Sequence, residues 1–354
     1  MSLWDWLFGK ISSPRDDASL SSMTDSSANA GRSAVATLPS PGERATAADS
    51  AAEQPWWLPE PDAWLEPQSI PRPDLSPEAR ALENILISHF DGHDLQVPPL
   101  MQVAENVLRK LSKADCNFNE IARELSEDPV IAGSVLRLAN SPLYRGTNKI
   151  SSVQQGVTRL GQKAVRTLML HESMRSAMFG KKGRDGLAEA LWKRSLASAV
   201  VMRELARICG NDEDDAYLLG LLHDIGAVLV LRILRGELRF GKFQIEEEEF
   251  DYLCQEAHQE FGELMAAEWK LPQSVATIIS DHHRHPAPDD ENRIGRLQIL
   301  LSDMIVSMIG LGITENYDLC ASAAARDLGI AERQDFRAML DAIPERVADV
   351  LGAL

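Results

Sequence analysis

From residue 77 onward, apolar residues recur at three and four positions along the chain and strand-like alternation is scarce, the pattern of an all-α protein built from amphipathic helices. Helices are predicted over 100–111, 118–125, 153–160 and 164–174, and later over 297–313, 321–328 and 336–354. The stretch EDPVIAGSVLRLANSPLYRG shows the logic. Asp128 is suited to cap a helix, Pro129 to occupy its first turn, and Ile131, Val135 and Leu138 to form one face. Asn140-Ser141-Pro142 then ends it. A polar break, GKKGRDG from Gly180 to Gly186, separates this helical region from a second one. The resulting organisation is a leader over 1–76, helical subdomains over 77–182 and 187–290, and a helical extension over 291–354 packed on the second.

The leader is rich in Ser, Ala, Pro and acidic residues, with too little apolar surface to offset chain entropy, and is expected to be disordered. Two motifs interrupt it. In MSLWDWLFGKI, Leu3, Trp4, Leu7, Phe8 and Ile11 fall at helical spacing, so that residues 3–11 suit peripheral contact with a membrane surface or a partner groove. A sticky tail is the plainer expectation. In PWWLPEPDAWL, Trp56, Trp57 and Trp64 cluster among prolines, and folding back onto the domain is the simpler reading.

Composition narrows the partners. Thirty-six basic against 53 acidic residues give a net charge of −17, which disfavours a nucleic acid as the main partner, since phosphate backbones need a basic footprint. Cys116, Cys209, Cys254 and Cys320 lie far apart with no C-x-x-C spacing, as expected of reduced thiols in a cytoplasmic protein. The EEEEF run from Glu246 to Glu249 reads as a solvated helix face.

The second half carries ionisable residues where apolar ones are expected. His223-Asp224 sits inside YLLGLLHDIGAVLVLRIL; Arg194 lies on a face with Leu187, Leu191 and Val201; and His258 shares a stripe with Phe261, Met265 and Trp269. His282 and His283 continue the face of Val275, Ile278 and Ile279, and Asp303 interrupts LQILLSDMIVSMI. Singly, each is most simply a satisfied core residue, an interhelical hydrogen-bond partner or a charge at a helix end. As a set, buried polar groups from five segments are expected to share one pocket. Imidazoles and carboxylates together suit a divalent manganese, iron or zinc ion.

The ordered run VPPLMQVAENVLRKLS, IARELSEDPVIAGSVLRLANSPLYRG, ISSVQQGVTRLGQKAVRTLML, LWKRSLASA, GLLHDIG, HQEFGELMAAEWKLP and the paired histidines resembles the HDOD domain. This is a bacterial, all-helical relative of the HD phosphohydrolases, and the resemblance spans about 95–285. It implies an HD-like fold and a regulatory role exercised through a signalling protein partner or a small ligand. Metal-dependent HD enzymes use an early histidine, the adjacent His-Asp and a late aspartate, with further histidines in the two-metal branch. By that resemblance His223 and Asp224 match the central pair, Asp303 the late aspartate, and His258, His282 and His283 the additional ligands.

Two departures set the expectation for activity. Arg194 stands where the early histidine belongs, and HHRHPAPDDENRIGRLQ lacks the Gly-Tyr-Pro motif of the cyclic-di-GMP phosphodiesterases. A guanidinium has no lone pair for a metal and repels one. Near Asp224 or Asp303 it would instead neutralise a carboxylate. The expectation is therefore a degenerate site with no catalytic residue and no cofactor, the alternative being a metal-dependent phosphohydrolase that keeps His223, Asp224, His258, His282, His283 and Asp303 as ligands.

Overall fold

The computed structural model describes residues 55–59, 63–64, 72–91, 97–113, 115–141, 144, 146–179, 186–238, 245–311 and 316–353. The apolar segment 3–11 and most of the 180–186 break lie outside these residues. Helices dominate what is described: α1 (Pro77–Asp91), α2 (Gln102–Leu111), α3 (Phe118–Glu127), α4 (Pro129–Asn140), α5 (Val153–Phe179), α6 (Gly186–Cys209) and α7 (Glu213–Leu222). There follow α8 (Ile225–Leu238), α9 (Glu247–Glu268), α10 (Gln273–Ser280), α11 (Arg293–Val306), α12 (Ala323–Asp327) and α13 (Gln334–Ala353).

Local chemistry accounts for the ends. Asp128 accepts from the backbone N–H groups of Val130 and Ile131, with Pro129 in the first turn of α4, and Asp212 does the same for Asp214 and Asp215 at α7. Asn140 terminates α4 by exchanging two 2.8 Å hydrogen bonds with the backbone of Ile150. The two helices expected over 153–160 and 164–174 run on into one another as α5 and are separated only by Gly161, at φ 72° and ψ 179°. That conformation suits glycine alone and breaks the helix, so the two expected helices follow one another across a kink.

Three contiguous cores follow. Val107, Leu111, Ile121, Leu125, Val135 and Met169 fill the first, between α2–α4 and the first two-thirds of α5. The second joins α1, the end of α5, α6, α8 and α9 through Leu82, Met174, Leu196, Leu229 and Phe261. The third packs α11–α13 against the opposite side of α6 through Val201, Leu205, Leu301, Ile305, Phe336 and Leu340. Helix α6 is thus apolar on two sides because it is the partition between two cores. The stretches 213–236 and 293–311 owe their high hydropathy to the same cause, 72% and 67% of their most apolar windows being buried within the fold.

Two expectations change. Helix α1 belongs to the second core and not to the 77–182 subdomain, because Ala79, Leu82 and Leu86 pack with α8 and α9. Within the 1–76 leader, the tryptophan segment folds back onto the domain as expected. Trp56 donates to the carbonyl of Leu340 at 3.0 Å, Trp57 to Asp341 Oδ1 at 2.7 Å, and Trp64 exchanges backbone hydrogen bonds with Asn316 and Asp318. Aromatic area outweighs the polar composition around it. Within EEEEF, Glu249 is not solvated: its carboxylate is buried, accepting from the backbone of Glu246 as a capping box and from Ser76 at the start of α1.

Helices α8 and α9 cross at glycine against glycine. A Cβ built on Gly226 would lie 1.8 Å from the carbonyl oxygen of His258 and 2.3 Å from the nitrogen of Gly262. Gly226 follows Asp224 by two residues, so this contact sets how closely His258 approaches the His-Asp pair. Gly226→Ala is expected to cost about 3 kcal/mol through overpacking, whereas Gly236→Ala, exposed on the same helix with no neighbour within 4 Å, is expected to be neutral or stabilising. Equal urea midpoints for the two variants would contradict the crossing.

Buried Glu172 ties α5 to α4. Burial would raise its pKa, but the His171 ring at 3.8 Å, the Ser134 hydroxyl and the Arg175 guanidinium at 3.0 Å outweigh that and hold it at about 2, against 4.5 for a free side chain. A depressed carboxylate contributes stability above its unfolded pKa that is lost as pH falls through its folded one. Glu172→Gln is therefore expected to lose about 3 kcal/mol at pH 7, the gap to wild type closing as pH drops from 4.5 towards 2. A gap that stays constant over that range in denaturation curves would contradict it.

Candidate functional site

The chain between α7 and α8 makes the centre of the site. His223 caps the end of α7, its N–H bonded to the Leu219 carbonyl, and Asp224 precedes α8. The sharp change of direction turns both side chains inward among helices that are apolar elsewhere. Helix α6 brings Arg194, α9 brings His258, the turn after α10 brings His282 and His283, and α11 brings Asp303. All seven residues converge.

Asp224 is the hub. Its Oδ2 lies 3.2 Å from Arg194 Nε and 3.2 Å from His223 Nε2, and its Oδ1 lies 3.3 Å from His282 Nε2 and 3.5 Å from His258 Nε2. Asp303 stands across His223, at 3.2 Å from the same Nε2, and 3.9 Å from Arg194. His258 Nε2 is 3.2 Å from His282 Nε2 and 3.0 Å from His283 Nε2. His223 and His282 are fully buried, while 26% of the Arg194 side chain reaches solvent.

Charge divides the cluster into two halves. Burial would lower the pKa of His223, but the charges of Asp224 and Asp303 outweigh it and push the pKa up to about 10. For Asp303, burial is opposed by His223 and Arg194, which bring it down to about 2; Asp224 is held well below the usual carboxylate range by the same pair. Arg194 is raised above its ordinary value, its burial outweighed first by Asp224 and Asp303 and further out by Tyr317 and Asp251. In the other half, burial holds His258 at about 4 and His283 at about 3, with neighbouring positive charge adding to the effect. Two cations thus face two carboxylates, beside the neutral imidazoles of His258 and His283.

The donor set suits a divalent cation as well. His223, His258 and His282 each place Nδ1 within 2.8 Å or less of a backbone carbonyl, those of Gly220, Gln255 and Ile279. Each Nδ1 therefore donates, and in a neutral ring the Nε2 lone pair is left facing the centre. His258 and His282 then oppose lone pairs at 3.2 Å, an arrangement that a shared proton or a cation relieves. His223 Nε2 and both oxygens of Asp303 are buried without an aligned hydrogen bond. Two groups hold ligand atoms within 4.8 Å of one another: His258, His282 and His283, and His223, His282 and Asp303. These are the residues that would hold manganese, iron or zinc.

Tyr317 was not legible as a neighbour of Arg194. It lies in an irregular segment with no periodicity, pinned beside the site by its β-bridge to Trp64. His285, the third histidine of its run, turns away from the cluster to within 3.5 Å of Asp327.

Comparison with known proteins bears on the fold and the family. A curated protein of Treponema pallidum (strain Nichols) with no assigned function is 23% identical over 204 residues, which cover 55% of this chain and 39% of that protein. The chain thus spans about two-fifths of the length of that relative. A Shewanella amazonensis SB2B structure, proposed to be a metal-dependent phosphohydrolase, aligns over 78% of this chain and 99% of its own with a TM-score of 0.64 and 17% identity. A Marinobacter aquaeolei VT8 structure, proposed to act in signal transduction, aligns over 78% and 65% with a TM-score of 0.56 and 19% identity. At these identities the likeness establishes an all-α, HD-like fold. The HDOD domain model matches residues 97–285, more than half of the sequence, and the chain belongs to the HDOD domain family.

Proposed function

We propose that the protein is a regulatory signalling module of the HDOD type, acting by contact with a partner protein or by sensing a small ligand, and that its His-Asp site does not turn over a substrate. The observation that supports this most is Arg194, lodged against Asp224 where the HD resemblance calls for an imidazole ligand. Its fixed positive charge takes over part of what a catalytic ion would neutralise and has no lone pair to coordinate one. The proposed signalling role of the Marinobacter protein points the same way. Four free cysteines fit a cytoplasmic protein.

A second reading is carried by the converging Nε2 atoms. If the six imidazole and carboxylate residues hold metal, the ion would polarise a phosphate ester and supply hydroxide at neutral pH. His223, Asp224, His258, His282, His283 and Asp303 would fix it, and Arg194 would remain to meet the anionic substrate. The description given to the Shewanella protein favours this reading.

Metal analysis of protein purified without chelator, together with assays on cyclic dinucleotides and a generic phosphodiester in added manganese, iron or zinc, separates the two. No turnover is expected with any metal; stoichiometric metal without turnover would mark a structural or sensory site. Hydrolysis abolished by His258→Ala and by Asp303→Asn would replace the module with the enzyme.

A further inference from the structure

The charge of the chain is distributed unevenly. Between residues 129 and 171 there are six basic residues, Arg137, Arg145, Lys149, Arg159, Lys163 and Arg166, and no Asp or Glu at all. In a protein of net charge −17, a stretch of this length without one carboxylate is unusual, and it coincides with α4, the turn after it and the first half of α5.

The structure gathers three of these cations at one corner of the N-terminal layer. Arg159 on α5 reaches the end of α4, with its guanidinium 3.4 Å from the Ala139 carbonyl and 3.0 Å from that of Asn148. Lys149 adjoins Asn148 and is exposed. The paired hydrogen bonds between Asn140 and Ile150 hold this turn against the end of α4, less than one helical turn from Arg137. Arg137 is exposed, and its recorded bond is to the Ser134 hydroxyl at 2.8 Å.

Several carboxylates of the same layer are committed elsewhere. Glu124 on α3 pairs with Lys110, Glu120 accepts from Asn117, and Asp128 caps its own helix. Among the described members of the series, Lys163 alone is neutralised, by Asp212 and Asp215. Among the described residues, Arg137, Lys149, Arg159 and Arg166 have no carboxylate partner.

We infer that this corner, formed by the end of α4, the 146–150 turn and the start of α5, is a docking surface for an acidic segment of a partner polypeptide. Guanidinium and ammonium groups left without intramolecular carboxylates are placed to take carboxylates from outside, Arg in bidentate fashion. Charge also selects the size of the partner. At physiological salt, fields decay over about 8 Å, so a short acidic segment confined to the corner feels its positive potential. A nucleic-acid duplex would run on past it over the acidic remainder of the molecule and be repelled. The surface goes beyond the proposed signalling role in naming the chemistry of its partner, and it does not depend on the state of the His-Asp site.

The test is fluorescence anisotropy of a labelled oligo-glutamate peptide titrated with the full chain. Binding at low salt that weakens as salt is added is expected. Arg137→Glu combined with Lys149→Glu, two exposed positions, should weaken it about tenfold or more. Lys113→Glu with Lys270→Glu, also exposed, should not. Should the first pair lower the melting temperature, Arg137→Gln with Lys149→Gln serves in its place. Absence of peptide binding, or equal losses in both pairs, would overturn the surface. Stronger binding of a single-stranded RNA, or a self-associated form dissolved by the double reversal, would overturn the occupant.

Discussion

Two carboxylates, Asp224 and Asp303, face each other across His223 in the interior of a helical protein, and their charge has to be met. Burying one unpaired carboxylate costs more than most single side chains can return. Here the charge is met by Arg194 and by protonated His223, one from a neighbouring helix and one from between the two acids. This constraint selects which helices can pack together, because each of five segments must deliver a particular group to within about 4 Å of the others for any of them to be tolerated. Such a knot need add nothing over apolar packing; its consequence is that the helices have one way to fit.

The rest of the architecture serves that fit. The bare crossing of Gly226 on Gly262 lets α9 bring His258 close, and three histidines are oriented by carbonyls of their own preceding turn. The third core holds α11, and hence Asp303, against α6, which carries Arg194. Asp303 lies outside the 97–285 match, so the C-terminal extension completes a site that the HDOD domain begins. The proposed docking corner belongs to the layer of the first core and uses charge left unpaired where the knot sets charge against charge.

Much of this could be read from sequence because it rests on local rules. Asp128-Pro129 announces a helix start through capping and ring geometry, and buried charges on apolar faces announce a shared pocket. What could not be read rests on contacts distant in sequence. Nothing in the spacing of Leu82 and Leu86 says that α1 packs with α8 and α9. Glu249 looks like one of four equivalent acids until the backbone of Ser76 arrives to use it. The basic stretch was hidden by averaging: a net charge over the whole chain conceals a local excess of the opposite sign.

A double-mutant cycle between Arg194 and Asp224 tests the central interaction most directly. Arg194→Met, Asp224→Asn and the double variant would be unfolded in urea with chelator present. Each single change is expected to cost about 3–5 kcal/mol, because it strands the charge of its partner, and the double to cost little more than either, leaving a coupling of at least about 2 kcal/mol. Losses that simply add would show that Arg194 does not neutralise Asp224.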